Sequence, residues 1–375
     1  MIYLDHHAAS PLLPSVEQAM SMATRDGWAN PSSRHRFGQR TKQYVETARQ
    51  YLSDAIGAKP SEIIFTSGGT EACNLAILGH LERANAIVTT AIEHPAIDAC
   101  VTAAESRGVS VHRLGITELF DPNRSADTLE KILNPSTMLV MQWVNHETGH
   151  VLDIDRFTKI AQQMGAFFIV DGSQALGKLR INVREVMADA IAFGAQKIGG
   201  PSGVGALFVR GRDAINPTML GGAQERGQRA GTPNTIGIVG FGEACRHLDD
   251  SLHAQNATAA KRDRLRDTLI ELGALDNSRI EGFPSLSVVA GCCNLSFPTW
   301  KGSELVAALD IEGVMVSSGP ACSSGLDMPS PTVLALHGDE KRARSAVRLS
   351  LGMETADDEI ARAIATFSRV LHRQT

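Results

Sequence analysis

The sequence predicts an α/β fold built on a mostly parallel, seven-stranded sheet in a large domain, with a smaller α+β domain attached. Three observations carry this. Short β-branched or apolar runs recur with helical stretches between them, the runs are apolar throughout rather than alternating, and the texture changes after about residue 235. Strand–helix–strand repetition implies parallel strands with helices on both faces, and a strand covered on both faces reads as a continuous apolar run.

The strand runs are 62–67, 86–91, 110–114, 137–144, 166–172, 190–195 and 205–210. Helical stretches at 34–56, 70–84, 95–107, 125–133 and 155–164 separate most of them. A long, charged, Ala-rich helical region follows at about 240–273, then short strands near 286–297 and 313–318 and a last helix at 356–371. The expected division is a large α/β domain over 16–250 and a small α+β domain formed by 1–15 plus 251–375.

Composition bounds the function. The chain has 375 residues, 43% of them hydrophobic, which supplies a core and excludes wholesale disorder. With 36 Lys+Arg against 41 Asp+Glu the net charge is −5, so neither nucleic acid nor an anionic membrane surface is expected as the main partner. No stretch is long and apolar enough to span a bilayer, and the start MIYLDHHAASPLLPS lacks the features of a signal peptide, so a cytoplasmic protein is expected. Six cysteines without a C-x-x-C pair suit neither a disulfide scaffold nor a structural zinc site.

In an open parallel sheet, ligands sit at the carboxyl ends of the strands. Four strand ends or loops carry unusual residues. In FTSGGTEACN (65–74) a strand runs through Gly68 and Gly69 into a helix whose first amides suit an anion, although on this motif alone a plain turn capped by Thr70 is the simpler reading. In FFIVDGSQALG (167–177), Asp171 at a strand end needs a cation or hydrogen bonds, and either a protonated pyridine nitrogen or a following helix would meet that need. In AFGAQKIGGPSG (192–203), Lys197 sits on a loop of small residues and is either a nucleophilic amine or an exposed lysine. In SSGPACSSG (317–325), Cys322 lies in a Gly/Ser loop, which gives access without by itself giving reactivity. A phosphate turn, a strand-end Asp and a loop Lys, in that order, are the parts a pyridoxal phosphate enzyme uses.

With these motifs the sequence resembles the NifS/IscS-type cysteine desulfurases, pyridoxal phosphate enzymes of fold type I. The resemblance runs through YLDHHAASPL (3–12), NPSSRHRFG (30–38), FTSGGTEACN, TTAIEHPA (89–96), VNHETGHV (144–151), DGSQALG, QERGQRAGTPN (224–234), SSGPACSSG and AVRLSLG (346–352). It implies that Lys197 anchors the cofactor covalently, that Gly69 and Thr70 bind its phosphate, and that Thr232 completes that site from the partner subunit of a homodimer. It implies further that His94 stacks on the ring, Asp171 pairs with the ring nitrogen, and Gln174 and Asn145 address the ring's oxygen. Asn145 is counted with the substrate-binding residues as well. Arg348 would clamp the substrate carboxylate with Asn30 nearby, and Cys322 would be the nucleophile that takes sulfur from L-cysteine as a persulfide, leaving L-alanine. The loop around Cys322 resembles that of members whose loop carries sulfur to an acceptor protein for iron–sulfur cluster assembly or thio-modification.

Two departures stand out. The family usually reads Ser-x-His-Lys at the lysine, and here the segment is Gly194-Ala195-Gln196-Lys197, which removes a hydroxyl from the phosphate site. Weaker cofactor retention is therefore expected. The sequence also ends at Thr375 without the tail by which housekeeping members dock their iron–sulfur scaffold, which leaves the sulfur acceptor unspecified.

His146-Glu147-Thr148-Gly149-His150 spells a zinc-peptidase pattern, but that chemistry needs both histidines on one helical face. The segment follows a strand directly and contains Gly149, so no helix and no metal are expected. Cys292 and Cys293 are expected in a core strand. Competing readings are a selenocysteine lyase-like or other pyridoxal phosphate lyase or aminotransferase, and a weakly catalytic binding module.

Overall fold

The structure is a computed structural model that describes residues 1–211, 215–319 and 328–374. After a two-residue opening strand β1 (Ile2–Tyr3), the predicted apolar runs fold as β2 (Ile63–Thr66), β3 (Ala86–Thr90), β4 (Ser110–Leu114), β5 (Thr137–Gln142), β6 (Phe167–Asp171), β7 (Ala190–Gly194) and β8 (Gly205–Val209). They form one sheet in the order β2-β8-β7-β6-β5-β3-β4. The pairs β3–β4, β3–β5, β5–β6 and β6–β7 are parallel, whereas β8 runs antiparallel to both β7 and β2. Every residue of β5, β7 and β8 is buried, which is why these strands show no alternation. From β3 the chain moves outward to β4, and from β5 it moves the other way through β6 and β7. The carboxyl ends of β3 and β5 therefore flank the point where the winding reverses, the usual place for a ligand crevice.

This sheet belongs to a unit made of Ala9–Trp143 and Asp153–Asp249. On one face, Ile97, Cys100, Val101 and Ala104 of the helix Pro95–Glu105 join Leu75 and Ala76 of the helix Gly69–His80 over Ile64, Ile87, Met138 and Ile169.

The second unit consists of Met1–Ala8, Val144–Leu152 and Asp250–Thr375. Its strands are β9 (Leu275–Asp276), β10 (Cys292–Ser296), β11 (Val314–Met315) and β12 (Ala346–Ser350). β10 is the centre of an antiparallel sheet with β12 and β9, and β1 pairs in parallel with β11. Leu265 and Leu269 of the helix Gln255–Glu271 and Ile360, Phe367 and Val370 of the helix Asp357–Leu371 pack on it. Cys292 and Cys293 lie fully inside β10, and burial pushes the Cys293 thiol far up.

The region expected as one helix over 240–273 is three: Thr235–Cys245, Leu248–His253 and Gln255–Glu271. At the first interruption His247 bonds Ser15 Oγ at 2.9 Å, a tertiary contact that local composition does not announce. No helix among the described residues is long and apolar enough to cross a membrane.

Candidate active site

The loop after β2 enters the helix Gly69–His80 through Gly68. Glycine is required opposite it: a Cβ on Gly205 would lie 2.5 Å from both the Gly68 carbonyl carbon and the Phe193 oxygen. A Cβ on Gly69 would lie 2.6 Å from Ser173 Oγ and 3.8 Å from Gly194 N, so the turn, the end of β7 and the loop after β6 converge. Thr70 is exposed at the helix start, among amides whose dipoles favour an anion.

The loop is braced from outside. Glu71 accepts from Ser67 N at 2.7 Å and from Arg229 at 2.8 and 3.1 Å. Burial alone would raise its carboxyl, but the hydrogen bonds from Arg229 and Ser67 hold it below its ordinary value. Glu225 holds Arg49 through two 2.8 Å bonds and accepts from Phe65 N at 2.9 Å, with both side chains buried. The backbone here is left-handed at Glu225 (φ 43°) and Arg226 (φ 61°), an unfavourable state for side-chain-bearing residues that the clamp sustains. Thr232, farther along this segment, is exposed and lines a cavity of about 100 Å³ with Thr66, Ser67 and Gly203.

His94 is the N-cap of the helix Pro95–Glu105, its Nδ1 accepting from Ala96 N at 3.1 Å, which leaves the proton of the neutral ring on Nε2. Beside it Glu93 is buried, bonded to Thr90 Oγ1 at 2.5 Å and Gln142 N at 2.9 Å, and burial pushes its carboxyl up to about 8. At the end of β6 the Asp171 carboxylate accepts from Ser173 N at 2.9 Å. Gln174 is buried, and its Oε1 accepts from Lys178 Nζ at 2.9 Å.

Lys197 ends a 3-10 turn over Ala195–Lys197 and is half-buried. Ser10 fixes this turn, donating its N–H to the Gln196 carbonyl at 2.8 Å. A Cβ on Gly194 would sit 2.9 Å from Gln196 Oε1, so the Gln196 amide folds back over the position where a side chain on residue 194 would begin. The changes at 194 and 196 are thus one structural event. Asn30 is exposed and spends its Oδ1 on Ser32 N at 2.9 Å; none of the described hydrogen bonds joins it to the other predicted site residues.

In the smaller unit, Val144 and Val151 bridge and the segment between them is a turn, so His146 and His150 share no helical face. His150 instead bonds Thr148 Oγ1 at 2.8 Å and the Ser278 carbonyl at 3.0 Å. Asn145 is fully buried, and its Oδ1 accepts from Glu147 N, Thr148 N and Thr148 Oγ1 at 2.8–3.0 Å. Arg348, also buried, donates Nη2 to Asp5 at 2.7 Å and Nη1 to the His146 carbonyl at 2.8 Å. Its backbone pairs both ways with Ser317, five positions before Cys322. Ser330 donates to the buried Glu147 at 2.6 Å; burial pushes that carboxyl up. Cys322 lies outside the described residues.

Sequence reasoning missed Asp5, Ser173, Lys178 and the Arg49–Glu225 pair. Only Lys178 had a local signal, four positions after Gln174.

The family model for aminotransferase class-V matches residues 2–362. The chain belongs to the class-V aminotransferase family. Within it, a cysteine desulfurase of Gluconacetobacter diazotrophicus is 34% identical over 97% of this chain and 91% of its own. A solved NifS-like protein superposes with a TM-score of 0.89 at 27% identity, covering 99% of both chains. A structure described as SspA in complex with cysteine has a TM-score of 0.81 at 29% identity, over 95% of this chain and all of that one. The seven-stranded sheet with its antiparallel β8 is the fold these class-V relatives share, the fold type I expected from the sequence.

Proposed function

We propose that the chain is a pyridoxal phosphate-dependent cysteine desulfurase, cytoplasmic and homodimeric, that moves the sulfur of L-cysteine onto Cys322 and releases L-alanine. The observation that carries this reading is how donors and acceptors are sorted at the strand ends. Asp171 offers a carboxylate, an acceptor for a ring N–H. Gln174 and Asn145 have their oxygens engaged within their own units, so any contact either makes with an oxygen ligand is made through its amide N–H. A Cβ on Gly68 would meet nothing within 4 Å, so the backbone at this helix N-terminus is open to a phosphate. An acceptor for a pyridine nitrogen, donors for a ring oxygen and an anion cradle fit pyridoxal phosphate.

Lys197 would hold the cofactor, and its amine can hold and return a proton at Nζ. Gly69 and Thr70, with Gly194 and Gln196, would serve the phosphate, and in a homodimer Thr232 would complete the phosphate site of the other subunit. His94, oriented by its cap to Ala96, would hold the face of the ring. When bound, pyridoxal phosphate supplies an electron sink for charge developing at the substrate's α-carbon. Arg348, kept in place by Asp5 and the His146 carbonyl, receives the substrate carboxylate with its planar fork. Asn145 and Asn30 are assigned to the same substrate.

The Cys322 thiolate attacks the substrate sulfur; a sulfur–sulfur bond forms, the carbon–sulfur bond breaks, and the carbon keeps the electron pair and gains a proton. Cysteine plus enzyme thiol becomes alanine plus enzyme persulfide, which balances without another oxidant or reductant. An acceptor protein of iron–sulfur cluster assembly or thio-modification then takes the sulfur.

The test is peptide mass spectrometry after brief incubation of cofactor-loaded protein with L-cysteine. An added sulfur atom on the Cys322 peptide, removed by thiol reductant and absent in Cys322→Ser, is expected. An unmodified Cys322 in protein whose cofactor spectrum still responds to amino acids would overturn the sulfur chemistry and leave the cofactor assignment standing.

A further inference from the structure

We infer that Arg229 is a positioning residue for the phosphate turn: it holds and neutralises Glu71, so that the start of the helix Gly69–His80 can take a phosphate dianion beside its own carboxylate. This role rests on the cofactor reading above and deepens it. Glu71 stands in the first turn of that helix, where a negative charge draws on the same positive helix end that a phosphate would use. Its carboxylate folds back onto the turn and accepts from Ser67 N at 2.7 Å. Burial would raise this carboxyl, yet the hydrogen bonds from Arg229 and Ser67 hold it below its ordinary value, so it is ionised at neutral pH. A phosphate monoester brings a further charge of about −1.5 to −2 at pH 7. Without a cation, the two anions would compete for one helix terminus.

Arg229 removes that conflict. Its Nε and Nη2 meet the two Glu71 oxygens at 2.8 and 3.1 Å, the forked geometry that suits a guanidinium to a carboxylate. Its Nη1 donates to the Ala230 carbonyl at 3.3 Å, which orients the guanidinium from its own backbone. The two side chains are only 18% and 17% exposed, so solvent screens their charges poorly. The neighbouring carboxylate of this segment, Glu225, is matched separately by Arg49. A plain brace would look the same in these contacts but would support every part of a bound cofactor alike. A neutralising cation supports the phosphate alone, and that difference can be measured.

The test strips the full-length protein of cofactor and titrates it, by absorption, with pyridoxal phosphate and separately with pyridoxal, which lacks the phosphate. Arg229→Met is expected to weaken pyridoxal phosphate about 10-fold, the scale of one uncompensated charge near a protein surface, and to leave pyridoxal unchanged. Adding Glu71→Gln, which removes the charge but keeps an acceptor for Ser67 N, should restore the affinity, because the two residues act as one unit. Arg229→Lys keeps the cation and should retain most of it. Arg229→Gln is expected to behave as Arg229→Met does and serves equally where the methionine variant does not accumulate.

Equal weakening of pyridoxal phosphate and pyridoxal would overturn the inference, since Arg229 would then be a brace. So would an Arg229→Met protein with unchanged affinity for pyridoxal phosphate, or a loss that persists in full alongside Glu71→Gln. Wild-type protein that binds pyridoxal as tightly as pyridoxal phosphate would instead overturn the phosphate-turn reading on which the role of Arg229 stands.

Discussion

At position 194 a missing side chain and a foreign one explain each other. The Gln196 amide lies where a serine side chain on residue 194 would begin, with Oε1 2.9 Å from the Cβ position. The contact is to the far end of a flexible side chain, so Gly194→Ser alone displaces Gln196 without adding a well-placed hydroxyl. Coupled neighbours of this kind give non-additive effects of about 0.5–3 kcal/mol. Gly194→Ser is expected to leave cofactor affinity equal or weaker, whereas Gly194→Ser with Gln196→His should tighten it about 10-fold, the worth of one hydrogen bond to a charged group. Equilibrium titration with pyridoxal phosphate checks both, and equal, additive effects of the two changes would count against the coupling.

Among the elements, the segment from Gln224 to Asn234 is stabilised by contacts that no local pattern reveals. Arg49 and Glu225 stand 176 positions apart and meet through two hydrogen bonds, both nearly out of solvent. Removing one partner of a buried pair strands the other, at about 3–5 kcal/mol. Glu225→Gln keeps an oxygen for Phe65 N and is expected to cost less, about 2–3 kcal/mol, with a matching loss in thermal and denaturant stability. A change below about 0.5 kcal/mol, the range of ordinary surface substitutions, would show that the loop does not depend on the clamp. The apolar strands and the small-residue turns that follow β2 and β7 were legible because they are local. Asp5 against Arg348, 343 positions away, was not, because nothing in either neighbourhood marks the other. The helix break at Arg246–His247 was hidden for the same reason: the Ser15 contact that meets it comes from the other end of the chain.

For the whole molecule, buried ionisable groups set how stability responds to pH. Glu93 is pushed to about 8 by burial, so between its ordinary value of 4.5 and about 8 the folded chain keeps a proton that the unfolded chain has lost. Stability therefore falls as pH rises through that window and levels off above it. Burial raises Glu147 too, which acts in the same sense. His150 and His337 are lowered by burial and act oppositely, withdrawing stability as pH falls below the ordinary histidine value of 6.5. Glu93→Gln mimics the protonated carboxyl and can satisfy both Thr90 and the Gln142 amide. It is expected to gain on the wild type by about 1–3 kcal/mol between pH 6 and pH 8.5. Melting temperatures at the two values check this, and a constant difference would show that Glu93 titrates normally.

The division into units was only partly written in the chain. The composition change after residue 235 is visible, but Val144–Leu152 groups with the carboxyl-terminal unit although it follows a strand of the large sheet.

The outer edge of β2 has a consequence for how the protein fails. β2 ends the seven-stranded sheet, where unpaired amides and carbonyls invite another chain to add on. Here Phe65 N is met by Glu225, and the Ile63 carbonyl by Arg49 and Arg226. Side chains stand in for a neighbouring strand without offering a further ladder. Lose them, and the exposed rim becomes a template, so damage to this one clamp is expected to surface as self-association and poor yield before it surfaces as lost chemistry.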